Sequence, residues 1–405
     1  MKRLRVELSA SPGSSMLVGE IAEQGRRVFF EYSPVFVDSG LALSPFKLPL
    51  GPGLIEHGDR HFGPLPGLFD DSLPDGWGLL LMDRYFRQQG IDSASVSPLD
   101  RLAYLGTHTM GALTYHPSRD YPPDSGLLDL HALGRNAEAL IDGRVSDALP
   151  ELMRAGGSPG GARPKVLVGV YRDRIISGEG DLPPEFEHWI IKFGAKADVG
   201  DAGPIEYAYA LMAAAAGIDM PPFRLFEVEA QRRYFGVKRF DRLSGNRRLH
   251  VHTFGNLIHA DFRIPSSDYA DLIRVTRVLT RNHADVLRLF RRMVFNVAAH
   301  NRDDHAKNFA FLMNSAGEWT LTPAYDLTYS EGPGGEHTMT LLGEARAPGS
   351  DHCLRLAAAA GIKSRQAGDI IDQVNTAISR WPEFAATVGC GERAKAFIAT
   401  RIRPV

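Results

Sequence analysis

The chain has 405 residues, 44% hydrophobic and 23% charged, which excludes a disordered polymer and calls for two or three domains. A formal net charge of −2 gives no global case for nucleic acid or an anionic membrane as partner. The two cysteines, Cys353 and Cys390, lie far apart without metal-type spacing, which excludes a disulfide scaffold or a cysteine-based zinc site and points to a reducing compartment.

The N-terminal stretch MKRLRVELSASPG has charge but no following apolar segment, so no signal peptide is expected. No run approaches the roughly 18 apolar residues that span a bilayer, and the expected location is the cytoplasm. Residues 3–36 predict a β-meander: Leu4, Val6 and Leu8 alternate with polar residues, and glycine-containing turns separate the strands. Residues 40–67 are rich in Gly and Pro and read as loops. DDSLPDGWG at 70–78 precedes a periodic helix, Leu79–Gln88, with Asp75 as the expected N-cap. A second helix over 98–105 and a closing strand over 111–115 complete a unit in which no catalytic cluster is expected. The Pro/Asp/Ser-rich stretch 117–126 is the best boundary.

Beyond it, helices are expected over 127–142 and 145–153. A loop with four glycines among residues 156–161 then leads into an apolar strand, 166–171. Such a loop can turn backbone N–H groups toward an anion, and it also fits a plain linker. It is not a Walker A loop, because Ala162-Arg163-Pro164 stands between Gly161 and Lys165 and a strand follows rather than a helix. HWIIKF at 188–193 reads as a strand with Lys192 among apolar neighbours. A lysine placed there must reach water or find an anion. An Ala-rich helix, 206–216, follows with Glu206 in its expected first turn and Gly217 as its stop. Two further strands, 221–229 and 234–240, end in Lys238-Arg239-Phe240-Asp241-Arg242. From Ser267 onward the chain reads as mostly helical.

The stretch RRMVFNVAAHNRDDHAKNFAFLMNSAGEWTLTPAYDLTYS at 291–330 organises the rest. A helix ends in a polar knot, a hairpin follows, and a further acid comes after it. The order glycine loop, Lys192, Glu206, Asp303, Asn308, Asp326 is that of kinase-like phosphotransferases. There a strand lysine holds the phosphates and a helical glutamate holds the lysine, an aspartate acts as base, and an Asn and a second Asp hold the metal. On this reading Asp303 takes the proton of the attacking hydroxyl and Asn308 and Asp326 hold Mg²⁺. Gly160, Gly161, Ala162, Lys165, Lys192 and Lys307 face the phosphates, and Lys238 and Phe240 lie near the adenine of ATP. A metal hydrolase built from His300, Asp303, Asp304 and His305 with His250, His252 and His259 is the competing reading.

SLPDGWGLLLMDR, GALTYHP, SPGGARPK, WIIKF, VKRFDR, DDHAKNFAFL and PAYDLTYS, in that order, resemble the HipA family, the serine/threonine-kinase toxins of type II toxin–antitoxin systems. The resemblance implies an α+β fold: a small N-terminal β-meander domain (1–120) packed on a divergent protein-kinase-like domain. That domain would comprise an N-lobe-like region (121–245) and a mostly helical C-lobe (246–405). It further implies ATP and Mg²⁺ as cofactors and a protein substrate, an aminoacyl-tRNA synthetase in the best-known case, whose phosphorylation arrests growth. A HipB-like helix-turn-helix antitoxin and, through it, operator DNA are the implied partners. Ser158 falls where the family autophosphorylates. Asp304 and Lys238 depart from the best-studied member, which has glycine and glutamate there. The alternatives are a small-molecule phosphotransferase or a catalytically weak antitoxin-binding co-regulator.

Overall fold

A computed structural model describes residues 1–59, 61–118, 127–142, 152, 160–194, 201–228 and 232–405. Ser158 and most of the expected helix 145–153 lie outside the described residues.

The N-terminal unit is an antiparallel sheet of β1 (Lys2–Ser11), β2 (Ser14–Gln24), β3 (Arg27–Tyr32), β4 (Leu54–Glu56) and β5 (Leu113–His116), in the order β4-β3-β2-β1-β5. Gly13 and Gly25, with φ of 70° and 63°, make the two hairpin turns that the meander needs. One face carries Leu4, Val6, Ile21, Val28 and Phe30, all buried, as period-2 alternation requires. These residues pack into the same core as the helical lobe.

The second sheet contains β6 (Lys165–Tyr171), β7 (Arg174–Ser177), β8 (Glu187–Lys192), β9 (Phe223–Glu227) and β10 (Arg233–Lys238), ordered β7-β6-β8-β10-β9. The β6–β8 register sets Lys165 directly opposite Lys192. Like charges placed so are unfavourable unless an anion lies between or beside them. The helix Ala202–Ala215 packs on this sheet through Tyr207 and Ala210, which meet Phe235 and Val237, while Ala208, Tyr209 and Met212 face the C-terminal helices, and Gly217 (φ 74°) ends it. It starts four residues before Glu206, which therefore sits in the second turn rather than the expected first.

The C-terminal lobe is built from the helices Tyr269–Thr280, His283–Ala298, Ser350–Ala359, Ser364–Ser379, Trp381–Thr387 and Glu392–Ala399. His283–Ala298 begins at Asn282, whose side chain accepts from the Ala284 amide, and buries Val286, Leu289, Phe290 and Met293. Burial of side chains of this size contributes about 1.5–3 kcal/mol each. A small antiparallel sheet joins His250–Thr253, Ala310–Met313 and Trp319–Leu321. It carries the expected hairpin and brings the histidine-rich strand against it.

The segment leaving β10 is fixed to the N-terminal unit. Asp241 accepts from Arg239 Nε and Nη2 (2.9 and 2.7 Å), from Arg242 Nη1 (2.6 Å) and from the Gly111 amide (2.8 Å). Arg242 donates onward to the Gly111 and Thr109 carbonyls. Burial alone would raise the Asp241 pKa, but the two guanidiniums outweigh it and hold the carboxyl well below its ordinary value.

Candidate active site

The helix His283–Ala298 delivers the chain to His300, which has a left-handed φ of 53°, and so turns it into the polar knot. Asp304 anchors the knot. It is fully buried and accepts from Tyr269 Oη (2.6 Å), His337 Nδ1 (2.9 Å) and the Thr338 amide (2.9 Å). Asn296 donates to the same Tyr269 hydroxyl at 3.0 Å. Asp304 is thus a structural clamp for the loop.

With Asp304 held inside, its neighbour Asp303 faces out and is exposed. Desolvation by the surrounding loop, together with repulsion from Asp326 and Asp304, raises its carboxyl pKa, while His305 and Arg163 oppose the shift. Asn308 Nδ2 donates to the Asp303 carbonyl at 2.6 Å, which leaves Asn308 Oδ1 available as an oxygen ligand. Tyr325 Oη donates to the Lys307 carbonyl at 2.7 Å and ties the knot to the segment carrying Asp326.

Asp326 also adopts a left-handed φ (53°), unusual for a non-glycine residue and typical of functional sites. Its carboxylate is bonded to Lys192, which also meets Glu206 at 2.5 Å. Burial disfavours the Lys192 ammonium, but Asp326 and Glu206 outweigh it and raise its pKa. Burial also works against the Asp326 anion, yet Lys192 and Lys165 hold its pKa well below the ordinary value. Lys165 donates to the Gly160 carbonyl, and burial beside Lys192 lowers its pKa.

These residues line one cleft. Its floor and walls include Gly160, Gly161, Lys165, Lys192, Glu206, Lys307, Asn308 and Asp326, with apolar walls from Ile190, Phe235, Val237 and Leu327. Lys238 and Phe240 lie along it too. Lys238 is paired with Glu187 at 2.6 Å, and the Phe240 ring packs 5.6 Å from Tyr325. Asp303 does not line the cleft, and Ala162 meets the N-terminal unit instead.

The N-terminal unit, in which the sequence shows no catalytic cluster, contributes acids to the cleft. Asp71, Leu73 and Asp75 line the cleft, and Asp70 accepts from Lys307 at 3.0 Å. Burial works against the Lys307 ammonium, but Asp70, Asp71 and Asp75 outweigh it and raise its pKa. Asp75 occupies the N-cap position of the helix Gly76–Gln88 but makes no cap bond, because its carboxylate accepts from the Gly161 amide. The signal for these acids was present in DDSLPDG, but nothing local said which way their side chains point.

The histidine cluster is taken up by joints to the N-terminal unit. His250 donates to the Leu43 carbonyl at 3.0 Å. His252 sits 2.5 Å from Asp71 and 2.9 Å from Ser44, and His259 accepts from the Gly67 amide at 3.0 Å. Burial pushes the pKa of His250 and His259 down to about 4. Among the described residues no group of three or more His, Cys, Asp or Glu is placed to hold a metal. Both cysteines are buried free thiols. No helix among the described residues is long and apolar enough to cross a membrane.

Comparison with known proteins agrees with this architecture. Residues 14–116 match the HipA N-terminal domain, and residues 157–381 match the HipA-like C-terminal domain. "Putative kinase Y4dM" of Sinorhizobium fredii is 26% identical over 75% of this chain and 72% of its own length. "Putative kinase Y4mE" of the same organism is 29% identical over 62% of this chain and 63% of its own length. The HipA chain of the Shewanella oneidensis MR-1 HipA–HipB–operator DNA complex superposes with a TM-score of 0.71 at 17% identity. That match covers 98% of this chain and 94% of the other, and it shows the shared fold. The chain belongs to the HipA family of kinase-like proteins.

Proposed function

We propose that this protein is an ATP- and Mg²⁺-dependent protein kinase that transfers the γ-phosphoryl group to a serine or threonine of a protein substrate. The observation that carries the reading is Lys192 bonded at once to Glu206 and Asp326 in a cleft also lined by Lys165 and Lys307. Paired in this way, Lys192 is charged and aimed at the phosphate position before any nucleotide arrives, as electrostatic preorganisation requires.

Asn308 Oδ1 and the Asp326 carboxylate form a hard oxygen donor set and would hold Mg²⁺, which neutralises charge on the phosphates when bound. Asp303 accepts the proton of the acceptor hydroxyl as its oxygen bonds to the γ-phosphorus. The bond to the ADP oxygen breaks, and ADP leaves with the electron pair. Lys165, Lys192 and Lys307 hold the phosphate oxygens, and the Gly160–Gly161 turn lies beside them. The apolar walls up to Phe240, with Lys238 at the edge, take the adenine.

By family and by the partners of the Shewanella protein, we assign a HipB-like helix-turn-helix antitoxin and, through it, operator DNA as partners. An aminoacyl-tRNA synthetase is the proposed substrate, and translation arrest the outcome. Ser158 is the proposed site of autophosphorylation. The functional regions on this reading are 1–120, 121–245 and 246–405. Incubation with Mg-ATP and a bacterial lysate, followed by phosphopeptide mass spectrometry, tests the proposal. Phosphoserine or phosphothreonine on Ser158 and on a synthetase, absent with Asp303→Asn, is expected. Phosphate transfer to a small molecule alone, or none at all, refutes it.

A further inference from the structure

Residues 67–81 cross from one lobe of the cleft to the other. At the start of this crossing, Leu68 and Phe69 lie in the core shared with Phe254 and Leu257 of the C-terminal part. Gly67 packs so closely on Asn256 that a side chain there would overlap the Asn256 backbone. At its end, Trp77 and Leu81 lie in the core of the second sheet with Val166, Val168 and Ile191, and Trp77 Nε1 donates to the Lys165 carbonyl at 2.9 Å.

Between these anchors the chain touches both phosphate-facing loops. Asp70 accepts from Lys307 at 3.0 Å. Its carboxylate is fixed beforehand by Asn256 Nδ2 at 3.0 Å, which also reaches Asp71 at 2.8 Å. Asp75 accepts from the Gly161 amide, and the Trp77 amide donates back to the Gly161 carbonyl at 3.1 Å. Gly76 has a φ of +43°, and a Cβ on it would stand 2.6 Å from Ala162 Cα, so two backbones meet there without room for a side chain. Asp75 forgoes the capping bond that its position offers in order to hold the glycine turn. Interdomain packing alone needs neither of these two polar contacts, because the apolar anchors at both ends already provide it.

We propose that residues 70–77 of the N-terminal unit form a strap that sets the separation of the two phosphate-handling loops, with Asp70 positioning Lys307 and Asp75 positioning the Gly160–Gly161 turn. Its kinetic consequences rest on the kinase reading above, but its geometric consequences do not. The N-terminal unit is then part of the phosphoryl-transfer machinery, and anything that displaces it acts on both loops together.

The test uses the full chain and two kinds of readout. In kinetics, Asp75→Ala raises KM for ATP about tenfold with a smaller effect on kcat, and Asp75→Asn, which keeps an acceptor oxygen, restores most of the loss. Asp70→Ala lowers kcat about tenfold, and adding it to Lys307→Ala causes no further loss. Independently of turnover, hydrogen exchange of the peptide containing Gly161 speeds up in Asp75→Ala, and acylation of the Lys307 amine speeds up in Asp70→Ala. If the alanine variants do not fold, Asp70→Asn, which removes the charge, carries the kinetic and acylation tests, and Gly76→Ala carries the exchange test. Wild-type exchange and acylation rates in the folded variants overturn the strap, as do additive effects of Asp70→Ala and Lys307→Ala. If the wild-type chain transfers no phosphate but exchange and acylation change as expected, the kinase reading fails and the strap stands.

Discussion

Asp241 and Asp326 each face two basic side chains, and their settings differ. Asp241 is fully buried, and its oxygens are taken up by Arg239, Arg242 and the Gly111 amide. Asp326 keeps about a third of its side chain exposed (35%), bonds only Lys192 of its two lysines, and sits on a left-handed backbone. The first charge cluster is closed, with no capacity left for a ligand. The second is open, with the Lys165 ammonium bonded among the described residues only to the Gly160 carbonyl, and with Asn308 Oδ1 unused. Exposure and ionic saturation together distinguish a joint from a site here.

If that distinction holds, mutations in the two clusters should separate catalysis from stability. Asp303→Asn is expected to give the largest effect. Removing the base should lower transfer at least a thousandfold, about 4 kcal/mol of barrier, with the urea midpoint unchanged, since the exposed carboxylate makes no ion pair among the described residues. Wild-type rates of phosphoprotein formation in this variant would remove Asp303 as the base. Asp241→Asn should do the reverse. It leaves two buried guanidiniums short of an anion, and about 3–5 kcal/mol of stability should be lost in urea unfolding. The turnover of the molecules that remain folded should be retained.

Lys192, Glu206, Asn308 and Asp326, grouped in the sequence by their order along the chain, line one cleft in the structure, whereas Asp303 of the same group stands outside it. The meander was legible because period-2 alternation and glycine turns are local signals. Asp70, Asp71 and Asp75 were not, because their partners Lys307, Asn256 and Gly161 are 86 to 237 residues away. Asp304 was opaque for a similar reason: its ligands Tyr269, His337 and Thr338 come from segments about 35 residues away on both sides. His250, His252 and His259 could be metal ligands by residue type, but the sequence cannot show that each of these three rings already has a partner across the domain joint.

That joint also predicts an acid response separate from the cleft. His250 is neutral in the fold, with its pKa pushed to about 4 by burial, against an ordinary value near 6.5. The unfolded chain therefore binds the proton first, and stability falls as pH drops from about 6.5 to about 4, by at most about 3 kcal/mol. Asp241 adds a loss at lower pH. Its depressed carboxyl contributes stability that is complete above about pH 4 and fades as pH falls toward its folded pKa. His250→Gln keeps a donor for the Leu43 carbonyl and cannot titrate, so its stability–pH curve should be flatter between pH 6.5 and 4. An unchanged slope would assign the acid loss elsewhere.

The smallest effect, and the sharpest separation of joint from site, is expected at Lys165. Burial and the adjacent Lys192 lower its pKa, although Asp326 partly compensates, so its charge is a liability to the free protein. Nucleotide phosphates would supply the missing anion. Lys165→Met keeps the aliphatic volume and removes the charge, so folding should be unchanged or about 1 kcal/mol more stable. KM for ATP should rise about tenfold, equivalent to about 1.4 kcal/mol of binding. Opposite signs for stability and binding from one substitution identify a charge kept for a ligand. A Lys165→Met variant that loses stability without losing nucleotide affinity would place Lys165 with Arg239 and Arg242, as part of the closed joint.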